Sequence, residues 1–158
     1  MILIRLSSVL AVLAVTGLLA AADPSPALAQ ANPQSAMQQM AGRWQCQGGI
    51  RDPQGRKLAT GWSYVILLYP NGTFRVQGVI QGGAVRSQFQ GQGRWQVSRK
   101  GQKWQIVTQG QRVVQHSTGY VQRGSFYGGG TIYSLNNYGH NTNMTDGQVT
   151  ALSCRRAG

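Results

Sequence analysis

Glutamate is absent from this 158-residue chain, and aspartate occurs three times, at Asp23, Asp52 and Asp146. Acid–base or glycosidic chemistry by paired carboxylates needs two acids set at a working distance. Asp52 and Asp146 are the only pair left beyond the N-terminal segment, and both stand in turn sequences, Arg51-Asp52-Pro53 and Asp146-Gly147. Histidine and cysteine are as scarce, with two of each. His116 and His140 are far apart, and no ligand pair has C-x-x-C or i, i+2 spacing, so no metal is expected. A Ser-His-Asp set could be assembled from Ser117, His116 or His140 and an aspartate, but no G-x-S-x-G elbow accompanies it. The run Gly124-Ser125-Phe126-Tyr127-Gly128-Gly129-Gly130 lacks the Lys-Ser/Thr of a phosphate loop and reads as a flexible link or a lip. The chain is therefore expected to be no enzyme, with no cofactor.

Charge of one sign is almost missing. Charged residues make up 11% of the chain, and they divide into 15 basic and 3 acidic, a net charge of +12 with a pI near 10.9. Most soluble domains carry about a quarter charged residues. The surface must then be built from Gln, Ser, Thr, Asn and Gly, with arginine supplying the charge. Such a surface is drawn to anionic partners: acidic polysaccharide, lipid head groups or an acidic protein face. Nucleic acid is not indicated, because stacking on bases wants exposed aromatics on the basic face. Here aromatics interleave only in expected loops, at Phe126, Tyr127, Tyr133 and Tyr138.

One apolar run stands out. Arg5 precedes Val9 to Ala22, which is too short for a span of about 20 residues. Asp23-Pro24-Ser25-Pro26 and Ala27-Leu28-Ala29 follow it. This is the three-part pattern of a cleavable export signal. Cleavage is expected after Ala29, with Ala22 the alternative, and the mature chain is expected in a periplasm or outside the cell. No other segment is long and apolar enough to span a membrane as a helix. In that oxidising setting Cys46 and Cys154 are expected to form one disulfide. The chain-entropy model values such a closure at roughly 4–5 kcal/mol for loops on the order of 100 residues.

Helical periodicity is confined to Ser35–Met40, with Ser35 as N-cap in an S-x-x-Q box, and Gly42 ends it. Everything after it has the period of strands. Trp44 and Cys46 share a phase; Trp62 to Tyr69 is a continuous apolar run; Pro70-Asn71-Gly72 is a hairpin turn. From Val85 to Val97 the alternation is unbroken, with Phe89 and Trp95 on one face and Arg86, Gln88, Gln90, Gln92 and Arg94 on the other. Lys103 to Gln109 continues it, Gly110-Gln111 reads as a turn, and Arg112 to Arg123 reads as a strand with Val114, His116 and Tyr120 in one phase. Thr131–Leu135 and Gln148–Arg155 complete about eight strands, with Gly124–Gly130 a link and Asn136–Asp146 a polar loop.

The expected fold class is all-β: a single antiparallel up-and-down barrel, preferred to an open sandwich because a closed meander makes its first and last strands neighbours. The two cysteines lie on those strands. The domain layout is residues 1–29 export signal, 30–41 tail and short helical turn, and 42–158 barrel.

Gly42-Arg43-Trp44, which opens the first strand after a short helical turn, together with Trp95, Trp104 and an arginine at 155 or 156, resembles the lipocalin-like group of small secreted barrels, the calycins. The second lipocalin motif is matched only at Thr145-Asp146, since Gly147 stands where an aromatic is expected. Small periplasmic protease inhibitors with a barrel and one disulfide share this outline, as do avidin-like barrels. The resemblance implies a non-enzymatic binding protein for a small apolar or amphipathic ligand. Trp62, Phe89, Trp95, Trp104, His116 and Tyr120 would line the interior. The alternative is an interaction protein, either a hydrolase inhibitor or a basic binder of anionic envelope polymer. Its contacts would be Arg75, Arg86, Arg94, Arg99, Lys100 and Lys103, with Arg112 on the same polar phase.

Overall fold

The computed structural model describes Leu28, residues 31–143 and residues 147–158. The expected export signal, apart from Leu28, and Thr145-Asp146 lie outside the described residues. A helix, α1 (Pro33–Met40), precedes eight strands: β1 (Gly42–Arg51), β2 (Lys57–Leu68), β3 (Thr73–Gly82), β4 (Val85–Lys100), β5 (Lys103–His116), β6 (Val121–Ser134), β7 (Asn137–Asn143) and β8 (Val149–Arg156). They close in sequence order, each antiparallel to the next, and β8 returns to β1. Cys46 stands directly opposite Cys154 in that last pairing, and the two form a buried disulfide.

The helix is set by its first residues. Asn32 is the N-cap and accepts from the Ser35 N–H at 2.8 Å, and Pro33 occupies the first helical position. Helix onset is thus three residues earlier than the expected Ser35 cap. Ala36 and Met40 face the barrel and are fully buried. Gly42 then takes φ +139°, and a Cβ there would stand 3.1 Å from the Arg156 guanidinium. Glycine both ends the helix and clears the space for that arginine.

The base of the barrel is sealed by tryptophans. Trp44 Nε1 donates to Met40 O at 2.9 Å, Trp95 Nε1 to Tyr69 O at 2.9 Å and Trp104 Nε1 to Leu28 O at 2.8 Å. Each ring is buried with its one polar atom satisfied, which removes the main cost of burying an indole. Arg156 lies over the Trp44 ring at 5.4 Å and donates to the carbonyls of Gln39 and Ala41. It ties the end of the chain to the end of α1. Leu28, 1% exposed, belongs to the same core. Cleavage after Ala29 would remove it; cleavage after Ala22 would keep it.

The strand pattern between Lys103 and Asn143 differs from expectation. Gly110-Gln111 is no turn: β5 runs through it, and the chain reverses at Ser117–Gly119 instead. Gly93 and Gly110 face each other across β4 and β5, and a Cβ on Gly110 would strike the Gln92 carbonyl oxygen at 2.1 Å. These glycines let two backbones approach rather than break a strand. Gly124–Gly130 is likewise part of β6 and no link, with Gly129 and Gly130 set against the carbonyl oxygens of Ile106 and Gly139, and Asn137–Asn143 is a strand within the expected polar loop.

Candidate functional site

The pleat sends alternate residues of each strand into or out of the barrel. Inside, Tyr64, Phe74, Phe89 and Phe126 meet at mid-height, with ring centroids 5.4–6.3 Å apart. All four are buried. Burial raises the phenol pKa of Tyr64 and of Tyr138 well above the ordinary tyrosine value. Tyr138 packs edge-on to Trp44 at 5.0 Å and stands 3.5 Å from Cys46 Sγ.

The six residues expected to line a ligand chamber do not form one group. Phe89 belongs to the ring cluster, whereas Trp95 and Trp104 belong to the hydrogen-bonded base. Trp62 is half-buried near the mouth, where it borders a cleft of about 670 Å3 with Ile50, Leu58, Leu152 and His140. His116 is also half-buried at the mouth, with Nδ1 2.8 Å from the Ser87 hydroxyl. Tyr120 lies in the β5–β6 turn, 63% exposed, with its ring tilted against His116 at 5.5 Å. It lines no interior, because the strand assumed to carry it inward ends at His116.

Ser87 and His116 form a pair that the sequence does not single out, since register alone brings them together. Asp52, the carboxylate side chain among the described residues, is engaged 2.6 Å from Arg56 Nε in its own turn. Among the described residues the imidazole has no carboxylate to orient it, and Ser87 is 5% exposed. The pair reads as a satisfied polar contact at the rim. Among the described residues, no group of three or more His, Cys, Asp or Glu is placed to hold a metal ion.

The outer face is built differently. Following the pairing across strands, one outward row runs Arg43, Leu67, Arg75, Gln92, Gln111. The next runs Gln45, Val65, Gln77, Gln90, Val113. Leu67, Val65 and Val113 make an apolar floor, and arginine and glutamine stand beside it. A groove of about 740 Å3 lies over these rows, and a second of about 750 Å3 continues it through Tyr69, Thr73 and Arg94. Among the described residues, no carboxylate borders either. Arg43 and Arg75 flank Leu67 two strands apart, about 10 Å in a sheet. Arg75 and Arg94 are diagonal neighbours, about 7–8 Å apart at their backbones.

The expected basic contacts are thus divided. Arg75 and Arg94 share the groove, joined by Arg43 at the opening of β1. Arg86 is near the mouth, eight residues along β4 from Arg94, about 26 Å. Lys100 and Lys103 pair at the β4–β5 tip, and Arg99 lies over the Trp104 ring at 5.9 Å. Arg112 is on the inward phase of β5 with Thr108 and Val114, opposite Gly91 and Gly124, yet it is half-buried and borders the groove beside Gly91 and Val113.

Apolar inside and polar outside is the reverse of a lipid-embedded barrel. Among the described residues, no helix is long and apolar enough to cross a membrane. Comparison with protein-family models and with curated proteins finds no match for this chain.

Proposed function

We propose that this is an exported, non-enzymatic binding protein whose outer groove over β1–β5 takes an anionic polymer. The observation that carries the reading is the groove itself: Arg43, Arg75 and Arg94 beside a glutamine-lined apolar floor, with no bordering carboxylate among the described residues. Arginine offers forked donors to carboxylate or sulfate, and glutamine amides hydrogen-bond hydroxyls. Acidic polysaccharide presents both groups along an extended chain. The ring cluster inside the barrel favours this over a large interior chamber. The test is titration with polygalacturonate and with neutral dextran. Binding of the first alone, weakening as salt rises, supports the proposal; equal binding of both, or insensitivity to salt, contradicts it.

A second reading keeps the small ligand of the lipocalin-like resemblance, at the mouth. The cleft bordered by Trp62, Ile50, Leu58 and Leu152 favours it. An amphipathic dye whose affinity drops in Trp62→Ala, and is untouched in Arg75→Gln, would support that reading.

Export through cleavage after Ala22 is part of the proposal, because Leu28 supplies the acceptor for Trp104. The mature protein should begin at Asp23. A secreted form beginning at Gln30 would mean that the base closes without Leu28.

A further inference from the structure

The ladder between β6 and β7 is far shorter than β6. β5 pairs along β6 from Val121 to Ile132, whereas β7 meets β6 only at Thr131, Ile132 and Ser134. Backbone parity shows which groups are left over. His116 N–H donates to Tyr120 O at 2.8 Å at the head of the β5–β6 hairpin. In an antiparallel pair, alternate residues turn their N–H and C=O to the neighbour and those between turn theirs away. Even-numbered residues of upper β6 therefore bond to β5. Val121, Arg123, Ser125 and Tyr127 turn their backbone groups to the far side. Gly129, next in that series, has its carbonyl capped by His140 Nδ1 at 2.7 Å. Among the described residues, no strand pairs with the four above it.

Exposed edges are normally guarded by proline, several charges or a bulge. This one has no proline and one charge, Arg123, while Val121 is 52% and Tyr127 75% exposed. We propose that the free edge of β6, from Val121 to Tyr127, receives an extended acidic segment of another protein as an added strand. A row of alternating N–H and C=O groups is matched by a peptide backbone and by no polysaccharide, so this site is independent of the outer groove. Charge decides between partner proteins. A second copy would set one strongly basic chain against another, with Arg123 on both edges, whereas an acidic segment meets an arginine that has no ion-pair partner among the described residues.

The probe is a labelled peptide of about ten residues alternating Thr and Glu. Its control is the same peptide N-methylated at alternate residues, which keeps the charge and removes the strand donors. The peptide should bind the intact protein and slow amide exchange at Val121, Arg123, Ser125 and Tyr127. The methylated control should bind at least tenfold more weakly. Ser125→Pro removes an N–H that β5 does not use, so it should melt like the parent and bind roughly tenfold more weakly. Equal binding of the methylated peptide overturns the proposal in favour of capture by charge alone, and this holds even if the proline variant misfolds. Slow exchange at these amides without peptide also overturns it: the edge would be covered within the chain, or by a second copy if sedimentation shows a dimer.

Discussion

On β3, Phe74 and Val76 point inward at 1% and 3% exposure, and Arg75 and Gln77, one residue on from each, point into solvent. The same pleat runs through β2, β4 and β5. One face is made of rings and branched chains that fill a barrel. The other is made of arginine and glutamine, with valine and leucine as a floor. The inner face uses its residues up in packing: each base indole is hydrogen-bonded and the mid-barrel rings touch one another. The outer arginines of the groove have no carboxylate beside them among the described residues. Stability should therefore reside on one face and recognition on the other.

That division can be broken by substitution. Trp44→Ala empties the base, where the indole contacts Tyr138 and Arg156, and should cost about 3–5 kcal/mol in denaturant unfolding. Arg75→Gln should change stability by no more than about 0.5 kcal/mol. A large effect of the second, or a negligible effect of the first, would erase the distinction. Replacing Cys46 and Cys154 together by serine should cost about 2–5 kcal/mol, since the bond closes a separation of 108 residues at the β1–β8 seam. Unchanged unfolding of that variant would mean that the pairing of β1 with β8 holds the barrel closed without it.

Under neutral conditions the inner face adds no pH dependence, but alkali exposes one. Tyr64 and Tyr138 hold their protons in the folded barrel above the pH at which the unfolded chain releases them. Above about pH 10 the unfolded state binds fewer protons than the native one, so stability falls as pH rises, by up to about 1.4 kcal/mol per unit for each tyrosine. Below that pH the two groups are neutral in both states and contribute no slope. Tyrosinate absorbance from these two should appear only as the barrel unfolds.

The closed meander of about eight strands was legible because alternation survives glycine and because one pair of cysteines sat on the first and last strands. The middle of the chain was harder. Gly110 and Gly124–Gly130 have the composition of turns, yet Gly110, Gly129 and Gly130 stand where a neighbouring backbone passes too close for a Cβ. Arg112 is expected outward because it is charged, although its position already shares the phase of Val114 and His116 in the expected strand. Within a continuous β5 it falls in phase with Thr108 and Val114. Of the groove, Arg75 and Arg94 could be found by phase. Arg43 could not, because its neighbours Gly42 and Trp44 carry so clear a structural role. The free edge of β6 depends on where one ladder stops, and no residue pattern records that.

The contrast between the two faces is tested most directly by mapping backbone amide shifts as polygalacturonate is added to the isotope-labelled protein. The changes should concentrate at Arg43, Arg75, Gln77, Gln90, Gln92 and Arg94, and should fade as salt is raised. Changes centred on Tyr64, Phe89 and Phe126, with the outer rows unmoved, would contradict the account.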